Sequence, residues 1–434
     1  MKKLIPALLT LCFLLTSCSY FTLEYTITGD TTVDLSVQVP QTSYTEITPK
    51  PPVTLPGLDG AMSADKQLST LPDMDFAEKY FGKDNEDGVA YFTIATVNDA
   101  PVFADADELS GSCVAATLNA VEDKYNVDII NLSYTADEFD AKIKESEQTG
   151  VYFADLLSLS ADAAKTYGTS EYCKNLSTLP FVSKNSPYFV SEFSQLGGGL
   201  SDFAVMSNAS YLTRDLQCLY FDASGVSDEI YSKALDGELS WEYILSLADK
   251  TGRGIASNPN FEDIFRLTSG ARYKNEGENS VLTTSPFQTP AEGTAADGLN
   301  AAIAAAMARI SDENPLFVID TIGNYAKYME SSIRYGILPL PSYDGSATVG
   351  FVDPDKVNYF LCPSYTTTAE GSGLVMSALG AASAQREAEV LITLIRDNAR
   401  DNGTLLVSHL LFSAPAWDFE YAYPTESDKP ADNQ

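Results

Sequence analysis

Histidine is nearly missing: His409 is the only one in 434 residues. A serine–histidine–aspartate relay would have to be built around that one imidazole, and no Gly-x-Ser-x-Gly elbow accompanies it. Zinc chemistry needs clustered nitrogen and sulfur ligands, and the six cysteines contain no Cys-x-x-Cys pair. Positive charge is scarce too. Lys and Arg number 27 against 60 Asp and Glu, a net charge of −33. A nucleic-acid binder needs a basic patch to replace phosphate counterions, so that class is excluded. Tryptophan occurs twice, as Trp241 and Trp417. Gly197–Gly199 lacks the following Lys-Ser/Thr of a phosphate loop and reads as a turn. Sixty acids leave a glycosidase carboxylate pair conceivable, but no local pattern selects two of them. The chain is therefore read as a non-enzyme with no metal and no cofactor.

What the sequence does contain begins at its first residues. Lys2 and Lys3 precede an apolar run from Leu4 to Leu15, then Thr16-Ser17-Cys18. A basic start, a short apolar core and small residues at a cut site make a secretory signal, too short to span a membrane as a helix. No later segment reaches the roughly 20 apolar residues of a membrane span. Residues 1–17 are thus expected to be removed. Residues 18–86 read as a stalk. Phe21 to Ile27 and Val33 to Val39 alternate around Gly29-Asp30, as in a β-hairpin. Pro40, Pro49, Pro51, Pro52 and Pro56 then favour an extended, semi-rigid spacer.

From Val89 the texture becomes α/β. Strand-like runs at Val89–Val97, Val127–Ile130 and Val151–Leu159 enclose helical patterns at 112–125 and 136–148. The same alternation returns at Asp202–Met206, Gln217–Phe221, Trp241–Lys250, Gly293–Ile310, Leu316–Ile319, Tyr335–Leu338, Val357–Cys362 and Ala384–Arg400. Strands alternating with helices imply βαβ units and a mainly parallel sheet. Two lobes follow: 87–195 plus 350–400, and 196–349 plus 401–434. The chain would cross between them near 190–205, 345–356 and 400–407.

Several stretches carry a resemblance. Phe92-Thr-Ile-Ala-Thr96, Val121-Glu-Asp-Lys-Tyr-Asn-Val-Asp-Ile129, Leu219-Tyr-Phe-Asp222 followed by Leu239-Ser-Trp-Glu-Tyr-Ile244, and Tyr335-Gly-Ile-Leu-Pro-Leu-Pro-Ser-Tyr-Asp344 resemble, in order and spacing, the maltose-binding-like extracellular solute-binding proteins (family 1) of ABC importers. Leu15-Thr16-Ser17-Cys18 resembles a bacterial lipobox, which implies a lipoprotein with lipid on Cys18. The resemblance covers about 87–420. It implies an α/β, two-lobed, periplasmic-binding-protein-like (type II) fold with a hinge. It also implies a lipid-anchored receptor on the outer face of the bacterial membrane, a small-molecule solute (a sugar), an ABC permease partner, and a monomer. The departures are an absent aspartate-rich loop at Thr251–Ser257, few tryptophans, and Ser342 where the family carries lysine. They motivate an alternative, a surface scaffold or sensor with a degenerate pocket.

Ligands of such folds bind at loops following strands. Sugars need flat apolar faces against ring C–H groups, with planar polar groups for their hydroxyls. The candidate ligand-binding residues are Asn98, Asp99, Ser160, Asp162, Trp241, Tyr325, Tyr343 and Tyr359. Turn, helix cap, lobe packing and hinge filler are the competing roles for these same residues. After Cys12 and Cys18, four cysteines remain: Cys113, Cys173, Cys218 and Cys362. Two disulfides and buried free thiols both stay open.

Overall fold

The computed structural model describes residues 26–27, 33–34, 63–81, 90–97, 103, 109–194, 199–210, 214–268, 272–276, 279–284, 295–342, 352, 357–384 and 386–413. In the unit Met1–Thr54, strands β1 (Thr26–Ile27) and β2 (Val33–Asp34) pair antiparallel, with Ile27 opposite Val33. The unit Leu55–Gln434 holds everything else.

Its first sheet takes β3 (Ala90–Val97), β4 (Val127–Tyr134), β5 (Leu156–Ser160) and β6 (Ala204–Val205). The chain then leaves to form β7 (Gln217–Asp222) and β8 (Ile255–Ser257), with a hairpin of β9 (Arg272–Glu276) and β10 (Asn279–Thr284) following. Next come β11 (Phe317–Thr321) and β12 (Tyr335–Leu338) of the second sheet, and the chain returns as β13 (Asn358–Leu361). The sheet orders are β4-β3-β5-β13-β6 and β12-β7-β11-β8, so this is a two-lobed α/β fold. The expected parallel pairing holds for β3 with β4 and β5, and for β8 with β11. It fails at β13 and β7, which run antiparallel to every neighbour.

Two expected boundaries move. Residues 196–205 were assigned to the second lobe, yet β6 hydrogen-bonds to β13 within the first sheet. The first crossing therefore falls after Val205. Residues 63–81 were assigned to the stalk, yet they dock on the first lobe. Leu68 and Phe76 are buried, the Phe76 ring lies 5.7 Å from that of Tyr125, and Arg386 reaches Asp65 at 3.3 Å. Burying those apolar side chains stabilises the strap, where a solvated stalk would bury nothing.

The helix Ala369–Ser383 fills the centre of the first lobe, buried from Gly371 to Ser383. Its small residues permit close approach: a Cβ on Gly373 would lie 2.1 Å from the Pro180 carbonyl oxygen. The helix Ala136–Thr149 covers the other face of that sheet. It starts with a reciprocal Thr135–Glu138 capping box and stops at Gly150, whose φ of 68° suits a residue without Cβ. In the second lobe, Trp241, Phe261 and Phe265 pack beneath Leu219, Phe221 and Ile319. Among the described residues, Cys113, Cys173, Cys218 and Cys362 are all buried free thiols. Burial pushes the Cys362 thiol up to about 12, so it is inert at neutral pH. Among the described residues, no helix is long and apolar enough to cross a membrane.

Candidate functional site

The parallel strands of each sheet end on one edge, and those edges define the candidate site. In the first sheet the edge carries Val97, Tyr134 and Ser160, with Asn358 opposite Ser160 in the ladder. In the second it carries Ser257, Thr321 and Leu338, with Gln217 opposite Thr321. One apolar cluster contains Leu157, Leu159 and Tyr359 of the first sheet with Cys218, Tyr220, Tyr335 and Ile337 of the second. The two sheets thus share a core.

Ser160 and Asp162 are exposed on the first edge. Ser160 occupies the N-cap of the helix Ala161–Tyr167, but its hydroxyl makes no capping bond. Beside it, Asn358 donates from Nδ2 to the Ser158 hydroxyl at 3.3 Å, and its carbonyl accepts from the Ser210 hydroxyl at 2.7 Å. Ser160, Asp162 and Asn358 form a polar ledge. Asn358 escaped sequence reasoning because it read only as the start of an apolar strand.

On the second edge the organising group is Asp320, which the sequence reading passed over. Its carboxylate is 2% exposed and accepts from the Thr321 amide at 2.8 Å, the Asn324 Nδ2 at 2.8 Å and the Tyr328 hydroxyl at 2.6 Å. Lys327 Nζ stands 3.8 Å away. Tyr328 in turn stacks on Tyr220, with centroids 3.8 Å apart, and meets Tyr335 edge-on at 5.1 Å. Burial, reinforced by Asp320, raises the Tyr328 phenol pKa, so it stays a donor. The sequence signal was one acid at the end of the run Leu316–Ile319. Gln217 lies on the same edge, 8% exposed, with its Oε1 shielded from water and without a hydrogen-bond partner.

The described aromatic candidates, Trp241, Tyr325 and Tyr359, are buried. Trp241 is 1% exposed; its ring meets Phe261 at 5.5 Å and Phe265 at 5.3 Å, and its Nε1 donates to the Thr268 hydroxyl at 2.7 Å. Tyr325 is 3% exposed and belongs to the core shared by the two sheets, where its hydroxyl donates to the Ile395 carbonyl at 3.3 Å. Tyr359 is fully buried, edge-on to Phe193 at 5.2 Å. Trp241 and Tyr325 belong to different clusters, so they do not form one wall. Each ring gains more from apolar packing than it would from standing in water. Asn98, Asp99, Tyr343 and Cys18 lie outside the described residues. Among the described residues no group of three His, Cys, Asp or Glu is placed to hold a metal ion.

No family model matches the chain, and no curated protein matches it. Solved structures do. A cyclo/maltodextrin-binding protein complexed with maltotetraose is 12% identical over 74% of this chain and 85% of its own, with a TM-score of 0.47. An extracellular solute-binding protein family 1 member from Alicyclobacillus acidocaldarius is 12% identical over 75% and 85%, with a TM-score of 0.45. The GacH receptor of Streptomyces glaucescens, solved unliganded and with acarbose, is 13% identical over 76% and 88%, with a TM-score of 0.43.

Proposed function

We propose that the protein is a lipid-anchored extracellular receptor that captures a carbohydrate between its two lobes for an ABC permease. The observation that carries the reading is the pair of polar strand-end edges, joined by a chain that passes between the sheets three times. Those passages fall between Val205 and Gln217, between Leu338 and Asn358, and between Asn398 and Asn402. A ligand touching both edges favours the closed arrangement, because only that arrangement offers every contact. Asn358→Ala should weaken sugar binding about tenfold while the melting point stays near wild type, since one lost polar contact is about 1.4 kcal/mol. Calorimetric titration beside thermal melts checks this; unchanged affinity would remove Asn358 from the site.

Anchoring rests on Leu15-Thr16-Ser17-Cys18. A single acyl chain holds a protein to a membrane only weakly, while two give stable attachment. Cys18→Ser should abolish incorporation of labelled fatty acid and release the protein to the medium. Equal label on both chains would contradict the lipid anchor.

A second reading, a scaffold or sensor of the same fold without a working pocket, is favoured by one observation: Trp241, Tyr325 and Tyr359 are all inside.

A further inference from the structure

We propose that the first lobe carries a second binding surface, an aromatic platform for a neutral polysaccharide strand, at the end of its sheet opposite the strand-end edge. Tyr91, Tyr152 and Tyr365 are 54%, 37% and 40% exposed, and Ile130 and Val151 beside them are 37% and 57% exposed. These are among the most exposed large apolar side chains of the described residues. Tyr91 and Thr93 point to the same side of β3, two residues or about 7 Å apart. In the ladder, Thr93 stands opposite Ile130 and Tyr91 opposite Asp128. The Thr93 hydroxyl lies 2.6 Å from the Tyr152 hydroxyl, Val151 precedes Tyr152, and Tyr365 packs over Gly150, 3.6 Å from where a Cβ would stand.

One of the rings, Tyr152, is held in place. The Tyr152 hydroxyl donates to Asp155 Oδ2 at 2.8 Å, and that carboxylate, 3% exposed, also accepts from the Thr93 amide at 2.8 Å. The side chain cannot swing away without breaking that bond, so its outward face is presented at little entropic cost on binding. Tyr365 lies over Gly150, whose lack of a Cβ leaves its ring room.

The chemistry selects the occupant. Flat tyrosine faces bury the C–H face of a sugar ring, and the exposed Asp128 carboxylate accepts its hydroxyls. Five side chains fall far short of the roughly 20–30 residues a side that a stable protein interface needs. A narrow strand fits. The net charge of −33, with Asp128 in the platform, disfavours an anionic polymer.

Native electrophoresis of the full chain through gels cast with soluble neutral polysaccharides (a β-glucan, a glucomannan, pullulan and an uncharged arabinoxylan) tests the proposal. At least one should retard the protein. Tyr91→Ala and Tyr365→Ala should each raise the dissociation constant tenfold or more, while Tyr91→Phe retains binding. Thermal melts run alongside should match wild type, because these rings are exposed. If an alanine variant melts early, Val151→Arg replaces it, placing bulk on the platform at a highly exposed position; it should abolish retardation. No retardation by any of the four polymers, or retardation undiminished in the correctly folded variants, would overturn the proposal.

Discussion

Asp320→Ala should destabilise the protein by more than about 3 kcal/mol. The carboxylate is the common acceptor for the Thr321 amide, the Asn324 side chain and the Tyr328 hydroxyl. Removing it strands three donors at once, and each buried unsatisfied group costs about 1–3 kcal/mol. The loss does not stop there. The Thr321 and Asn324 bonds hold the turn Ile322–Asn324, whose Ile322 and Gly323 amides donate to the Leu216 and Arg214 carbonyls at 2.8 and 2.9 Å. Asp320→Asn keeps an acceptor oxygen of the same shape and should recover part of the loss. Denaturant unfolding of the three proteins measures it. An alanine variant within about 0.5 kcal/mol of wild type would show that Asp320 does not organise this edge.

Tyr325→Ala should cost about 3–5 kcal/mol, the usual range for a buried aromatic truncated to alanine. The ring packs in the core shared by the two sheets, against the helix Arg386–Asn398, to which its hydroxyl is bonded. That helix also meets the first lobe, where Val390 packs on Cys113. Tyr325 thus ties the second lobe to a helix anchored on the first. Tyr325→Phe loses only the 3.3 Å bond and should cost about 0.5–1.5 kcal/mol. A pocket residue would behave in the opposite manner, with weakened sugar binding at an unchanged melting point. That outcome would return Tyr325 to the ligand site.

The contrast at Tyr325 shows how far the sequence could be read. Strands such as Ala90–Val97 and Tyr335–Leu338 were legible because β-branched and aromatic runs have few other uses. The helix Ala369–Ser383 was not. Its Gly and Ser residues lower the helix propensity, and burial on all sides removes the amphipathic period that marks a surface helix. The direction of β7 and β13 has no local signature, since pairing is settled by which chain segment returns beside which. The docked strap at 63–81 hid behind the proline-rich stretch before it, because Leu68 and Phe76 are isolated apolar residues until the first lobe supplies their partners. At the site, Ser160 and Asp162 were legible as polar residues after a strand. Tyr325 follows a strand in the same way and Trp241 opens a helix, yet both rings turn inward, and one-dimensional position carries no information about that choice.

The central claim, that the two strand-end edges hold a sugar, is tested most directly by thermal melting of the full mature chain against a panel of mono- and oligosaccharides, followed by calorimetric titration of any sugar that acts. Ligand at a hundredfold excess over its dissociation constant stabilises the folded state by about 2.7 kcal/mol, an effect that grows with concentration. The account predicts one-to-one saturable binding by at least one sugar, weakened by Asn358→Ala. A well-folded protein whose melting no sugar shifts, and which shows no heat of binding, would contradict it and favour the scaffold reading.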